Sequence, residues 1–202
     1  MADLKGMTGK IARVDLTSGT VTVIEPEESV YKKFLGGAAL GVYYLLKEGI
    51  ADPKVDPLGP DNMFQIMIGP ITGVGPNNRS VTVTKSAYNF IGIGTAGGQT
   101  PSELKYAGWD GIQVVGKASK PVYIAIMDDK VEIRDASHVW GKGAEEAEDI
   151  LRMEVKSEVE DREAMLRNAD LTEQWAAMRP PKRQGTGHKR LAKVWVIGQG
   201  GE

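Results

Sequence analysis

GPITGVGPNNRSVTVTKSAYNFIGIGTAGGQTPSELKYAGWD, residues 69–110, organises the rest of this 202-residue chain. It holds one isolated arginine, Arg79, then a strand-like run, then glycines at 92, 94, 97 and 98 ahead of a helical segment. Glycine admits backbone angles and close approaches that a Cβ forbids. A glycine-rich loop that opens a helix turns several N–H groups toward an anion, and Arg79 adds a rigid fork of donors suited to phosphate. The stretch therefore reads as a cradle for a large phosphorylated cofactor. The competing reading is a set of tight turns. It is not a Walker loop, because G-x-x-x-x-G-K-[ST] is absent, and GIGTAGG lacks the dinucleotide-binding spacing.

Outward from this stretch, the N-terminal side begins with two short strands, 10–14 and 20–24, joined by the turn Asp15–Gly19 with Gly19 at a positive-φ position. Pro26 to Ser29 starts a helix, with acids where the helix dipole favours them. Apolar residues at Val30, Phe34, Ala38, Val42 and Leu45 keep helical spacing, which Gly36 and Gly37 interrupt. Residues 52–62 form a proline-rich turn, and Phe64–Ile68 is a buried strand.

On the C-terminal side, Ser102–Tyr106 reads as a short helix capped by Ser102, and Gly111–Gly116 as a strand. Val122–Met127 and Lys130–Arg134 make a second hairpin around Asp128-Asp129, where aspartate suits the turn. His138-Val139-Trp140-Gly141 leads into a helix with Ala144, Ala147, Ile150 and Leu151 on one face. Hairpin, aromatic plus glycine, helix and apolar strand thus occur at 10–70 and again at 121–198. The expected fold is α+β: two β-sheets with short helices, read as a pseudo-two-fold duplication of a hairpin–helix–strand unit, with the simple recurrence of a common unit as the competing reading. Residues 1–154 and 191–202 form one domain, and 155–190 is a charged insertion within it. The basic loop Arg179–Arg190 reads either as a contact for an acidic partner or as a solvated loop. The last apolar strand, Leu191–Ile197, stands close to the end of the sequence, which points to structure continued on another chain or to a fragment.

Composition narrows the function. A formal charge of −2 and a pI near 5.8 give no global pull toward nucleic acid or a membrane surface. The chain has no cysteine. Disulfides, cysteine-held zinc and a cysteine-ligated iron–sulfur cluster are excluded from it. No apolar run approaches the roughly 18 residues of a membrane span, and the N-terminus has no signal-peptide core, so the expected location is cytoplasmic. Two histidines, His138 and His188, offer no Ser–His–Asp set. His138 reads as a packed structural residue, and Trp109, Trp140 and Trp195 as core. Asp110 is placed to pair with Arg79 or Lys105 in a structural role.

A family resemblance then emerges. ARVDLTSGTV, FLGGAALG, DPLGPDN, GPITG, the lone Arg79, TKSAYNFIG, AGGQTPSELKYAGWDGI, VVGKASKPVYI, VEIRDASHVWGK and VIGQGGE follow one another over residues 9–153 and 191–202. Together they resemble the N-terminal domain of the tungsten-pterin aldehyde ferredoxin oxidoreductases. The resemblance implies a base for a tungsten bis-molybdopterin cofactor with no catalytic residue of its own. Its cofactor-binding positions are Arg79, Thr95, Ala96, Gly97 and Gly98. The Thr95 main-chain carbonyl is assigned to a magnesium ion bridging the pterin phosphates; the family often has asparagine there, so only a main-chain contact transfers. The resemblance also implies a 4Fe-4S cluster on other domains or a partner chain, that remaining-domain chain itself, and a ferredoxin or iron–sulfur subunit as electron acceptor. The implied reaction is oxidation of an aldehyde to a carboxylic acid, with this polypeptide inactive alone. The alternatives are reduction of an aromatic thioester, or a non-catalytic pterin-carrying or assembly subunit.

Overall fold

The structure, a computed structural model, describes residues 5–74 and 78–155. They fall in two compact units, divided between His138 and Val139. The first unit contains eight strands: β1 (Ile11–Asp15), β2 (Thr20–Ile24), β3 (Met63–Ile68), β4 (Ser80–Lys85), β5 (Ile91–Ala96), β6 (Gly111–Val115), β7 (Val122–Met127) and β8 (Lys130–Asp135). Its helices are α1 (Glu28–Phe34), α2 (Gly37–Lys47) and α3 (Thr100–Tyr106). Six strands form one sheet in the order β2-β1-β6-β3-β4-β5, in which β1 and β6 run parallel and the other neighbours antiparallel. β7 and β8 pair as a separate hairpin. The fold is thus α+β with two sheets. In the second unit, residues 144–155 are helical, with Ala147 and Leu151 buried.

Local chemistry explains most boundaries. Asp15 Oδ1 accepts hydrogen bonds from the backbone of Thr17 and Ser18, closing the β1–β2 turn that Gly19 completes at φ 69°. The helical pattern breaks where expected: Gly36 has φ 135°, and a Cβ there would meet the Ile68 carbonyl oxygen at 2.8 Å. Period-two alternation gives the large sheet two apolar faces. Ile11, Met63, Met67 and Val83 lie under α1 and α2, packed with Tyr31, Leu40, Tyr44 and Leu45. On the other face Ala12, Val14, Ile68 and Ile112 meet Leu104 and Trp109, with Ile124, Ile126, Val131 and Ile133 of the β7–β8 hairpin over them.

One close approach sets the seating of α2. A Cβ on Gly41 would lie 2.7 Å from Val83 Cγ2 and 2.9 Å from its Cβ, and β-branched valine has little rotameric escape. Alanine is the better helix former by about 1 kcal/mol, yet overpacking costs about 1–3 kcal/mol. Gly41→Ala is therefore expected to destabilise the chain in denaturant unfolding, and Val83→Ala in the same molecule should recover part of the loss. A stabilised Gly41→Ala variant would contradict this packing.

The structure corrects several expectations. Gly92 and Gly94 lie in edge strand β5, not in a loop, because β4 supplies backbone partners in register from Ser80↔Ala96 to Lys85↔Ile91. Edge strands tolerate glycine. Ser102 does not cap α3: the helix begins at Thr100, Pro101 occupies its first turn, and Ser102 is buried inside it. His138 is exposed rather than packed, and Trp140 is 56% exposed rather than core; Trp109 is core, as expected. The first hairpin joins the large sheet, whereas among the described residues the second pairs only with itself. His188, Trp195 and the strand Leu191–Ile197 lie outside the described residues, as does the insertion beyond residue 155.

Candidate functional site

The β4–β5 register brings the predicted residues together. Val81 pairs with Thr95 and Ser80 with Ala96, so Arg79, one residue before β4, stands opposite Gly97, one residue after β5. The Asn78 carbonyl oxygen lies 3.7 Å from where a Cβ on Gly97 would sit. Arg79, Thr95, Ala96, Gly97 and Gly98 are all exposed at this end of the sheet. Among the described residues, the Arg79 guanidinium has no hydrogen-bond or ion-pair partner.

The glycines beside it are informative for what they do not do. Gly94 and Gly97 have ordinary φ angles, and a Cβ on Gly94 would meet nothing within 4 Å. Neither backbone conformation nor internal packing demands glycine at Gly94. Its register partner is Thr82, so Gly94 lies on the same face of the sheet as Ser80, Thr82 and Ala96. Further across that face stand half-buried Ile66, paired with Thr82, and exposed Phe64. This end of the sheet is a low, side-chain-poor platform with the Arg79 cation at its rim.

Behind the platform, a backbone scaffold holds Arg79. Thr72 Oγ1 accepts from the Gly69 N–H at 3.2 Å and donates to the Arg79 carbonyl at 3.3 Å. Asn78 Oδ1 accepts from the Gly73 N–H at 3.1 Å, and the Tyr106 hydroxyl donates to the Gly73 carbonyl at 2.8 Å.

Asp110 anchors the base of α3. Fully buried, it accepts from the backbone of Thr8 (2.9 and 3.0 Å) and Gly9 (2.8 Å), from the Tyr31 hydroxyl (2.7 Å) and from Lys105 Nζ (2.6 Å). Burial by itself pushes the carboxyl pKa up. The bond and charge of Lys105, with the Thr8 N–H and the Tyr31 hydroxyl, outweigh burial and hold it below the ordinary value. Tyr31 is pushed up by burial and by the Asp110 charge, so it stays a neutral donor. Asp110 thus takes the structural role expected of it, with Lys105 and not Arg79 as its partner.

Sequence reasoning missed two further polar sets. Arg13 donates to Gln113, Gln113 to Gln65, and Gln65 to the Gly41 carbonyl, a chain of bonds from β1 to α2 through the sheet. Lys85 is buried and donates to the carbonyls of Asp52 (2.5 Å) and Val55 (2.6 Å), fastening the proline-rich turn. Polar residues at core-facing positions of β3, β4 and β6 were the available signal. Among the described residues, no group of three or more His, Asp or Glu is placed to hold a metal ion, and no helix is long and apolar enough to cross a membrane.

The family model for the N-terminal domain of aldehyde ferredoxin oxidoreductase matches residues 11–166. The tungsten-containing aldehyde ferredoxin oxidoreductase of Pyrococcus furiosus is 49% identical over 156 residues, 76% of this chain and 26% of that protein. The WOR-like subunit of an aliphatic sulfonate oxidoreductase from the same organism is 44% identical over 159 residues, 78% of this chain and 26% of the relative. Among solved structures, the active site complex BamBC of benzoyl coenzyme A reductase, with bound 1,5-dienoyl-CoA, superposes with a TM-score of 0.72. It is 35% identical and is matched over 75% of this chain and 23% of its own. The chain spans about a quarter of the length of these relatives. With more than half of its residues matched by the family model, the chain belongs to the aldehyde ferredoxin oxidoreductase family, in the region of that family's N-terminal domain.

Proposed function

We propose that this chain grips a tungsten bis-molybdopterin cofactor on the β4–β5 platform, as one component of a tungsten-containing oxidoreductase. The observation that carries the reading is Arg79, whose guanidinium has no partner among the described residues, standing near Gly94, where neither backbone angle nor internal packing demands glycine. The fit is chemical as well as steric. A guanidinium offers charge-assisted bonds to a pterin phosphate or ring edge, and Gly97 and Gly98 let backbone approach the ring system closely, with Thr95 and Ala96 leading into that loop. The Thr95 main-chain carbonyl would be the group on this chain to hold a magnesium ion accompanying the cofactor's phosphates. When bound, the tungsten pterin supplies the two-electron oxidation of an aldehyde to a carboxylic acid.

This chain's own contribution is to hold and orient the cofactor. The relatives are named for different substrates, an aldehyde, an aliphatic sulfonate and a coenzyme A ester, yet share this region. Substrate choice is therefore assigned to the portions of those proteins that this chain does not match. The same portions are assigned the 4Fe-4S cluster that leads to ferredoxin, and this polypeptide is inactive by itself. A second reading, reduction of an aromatic thioester, is favoured by the likeness to the benzoyl coenzyme A reductase complex.

Gly94→Val tests the platform. Valine suits a strand, and the space around Gly94 is open, so thermal stability is expected to hold or rise by about 0.5–1 kcal/mol. Molybdopterin released per protein, read by the fluorescence of its oxidised form, is expected to fall severalfold. Full pterin content in a stable variant would show that this face is not the cradle.

A further inference from the structure

We propose that Thr72 is a positioning residue for Arg79, acting through the arginine's own backbone. The inference rests on the reading that Arg79 grips the pterin. Thr72 lies in the turn after β3 and is 4% exposed. Its hydroxyl is used on both sides, accepting from Gly69 and donating to the Arg79 carbonyl. The Thr72 N–H in turn bonds the Gly69 carbonyl at 3.2 Å, so the turn that carries the hydroxyl is itself closed. The bond to the Arg79 carbonyl fixes the peptide from which β4 starts. It thereby sets the direction in which a guanidinium without a partner among the described residues leaves the sheet.

Tyr106 extends this control to the glycine side of the platform. Its hydroxyl bonds the Gly73 carbonyl, and its ring lies 3.2 Å from where a Cβ on Gly73 would be. Gly73 has φ 86°, and its N–H bonds Asn78, the residue before Arg79. Tyr106 stands on α3, which begins two residues after Gly98. The turn that holds Arg79 and the helix that follows the glycine loop are therefore braced against each other. Cofactor sites need this kind of support, because a small misplacement of a donor costs much of its benefit.

The test compares Thr72→Val, Thr72→Ser, Arg79→Ala and the Thr72→Val/Arg79→Ala double variant. Each chain is tagged and isolated from its native host, grown with tungstate, together with whatever polypeptide accompanies it. The readouts are pterin and tungsten retained per protein after prolonged dialysis, and the melting temperature. Thr72→Val is expected to lower retention about threefold to tenfold, the net worth of one hydrogen bond, and Thr72→Ser to restore it. In the Arg79→Ala background the valine should lower retention no further, since a residue acting through Arg79 has nothing left to position. If Thr72→Val keeps the cofactor while Arg79→Ala loses it, the positioning role is overturned and the Arg79 reading stands. If Arg79→Ala itself keeps the cofactor, both fall. Multiplying losses in the double variant, or no rescue by serine, would mean that Thr72 is merely structural. Should Thr72→Val fail to accumulate, Tyr106→Phe takes its place, with reduced retention expected and unchanged retention overturning the proposal.

Discussion

Asp110→Ala is expected to destabilise the chain by about 3–5 kcal/mol, because removing one partner of a buried pair leaves the other charge uncompensated. Domains of this size are stable by only about 5–15 kcal/mol. The Lys105 side chain is 11% exposed and would lose its carboxylate. The Tyr31 hydroxyl and the N–H groups of Thr8 and Gly9 would lose their acceptor at the same time. Asp110→Asn should be nearly as harmful, since the amide preserves shape and not charge. Adding Lys105→Met to Asp110→Asn is expected to recover part of the loss. Denaturant unfolding of the three variants decides the matter, and a loss below about 1 kcal/mol for Asp110→Ala would contradict a buried anchor.

The same carboxylate predicts a direction with pH. Its native pKa lies below the ordinary value of 3.8. Its contribution to stability is therefore complete above that ordinary value and fades as pH falls through the lower native one. The unfolding midpoint should hold from neutral pH down to about pH 4 and then decline. In Asp110→Asn the decline should be shallower.

Arg79→Ala should do the opposite: strip the cofactor and spare the fold. An exposed guanidinium without a partner among the described residues contributes little to stability, so a change within about 0.5 kcal/mol is expected. A hydrogen bond to a charged group is worth about 1.5–3 kcal/mol. Its loss corresponds to roughly tenfold to a hundredfold weaker retention. Arg79→Lys should fall between, keeping charge and losing the planar fork. Equal melting temperatures with unequal pterin content would separate a ligand contact from a structural one. Full pterin content in Arg79→Ala would remove the arginine from the site.

What was legible in the sequence was local. The Asp15–Gly19 turn, the break at Gly36 and the Asp128-Asp129 hairpin each follow from a few adjacent residues, and each stands where expected. Arg79 and Gly97 could be nominated separately by residue type and family resemblance; only the strand register, with Ser80 paired to Ala96, shows that they flank the same end of β4 and β5. Gly92 and Gly94 misled, because glycine usually marks a loop, and pairing to β4 overrode that preference. Polar residues at core-facing strand positions were visible, but their long-range partners were not. Asp110 meets Thr8 across 102 residues and Gln113 meets Gln65 across 48, separations at which spacing carries no signal. Trp140 shows the limit of residue type, which sets a preference for burial and not its outcome.

The central claim is tested most directly by the metal content of the protein as its host makes it. The chain is tagged at its native locus, isolated with its partners, and analysed for tungsten and molybdenum by mass spectrometry. About one tungsten per copy of this chain, with a cysteine-bearing partner or further domain in the same fraction, is the result the cofactor-cradle account predicts. An intact assembly holding neither metal would contradict it and leave a non-catalytic role for the platform.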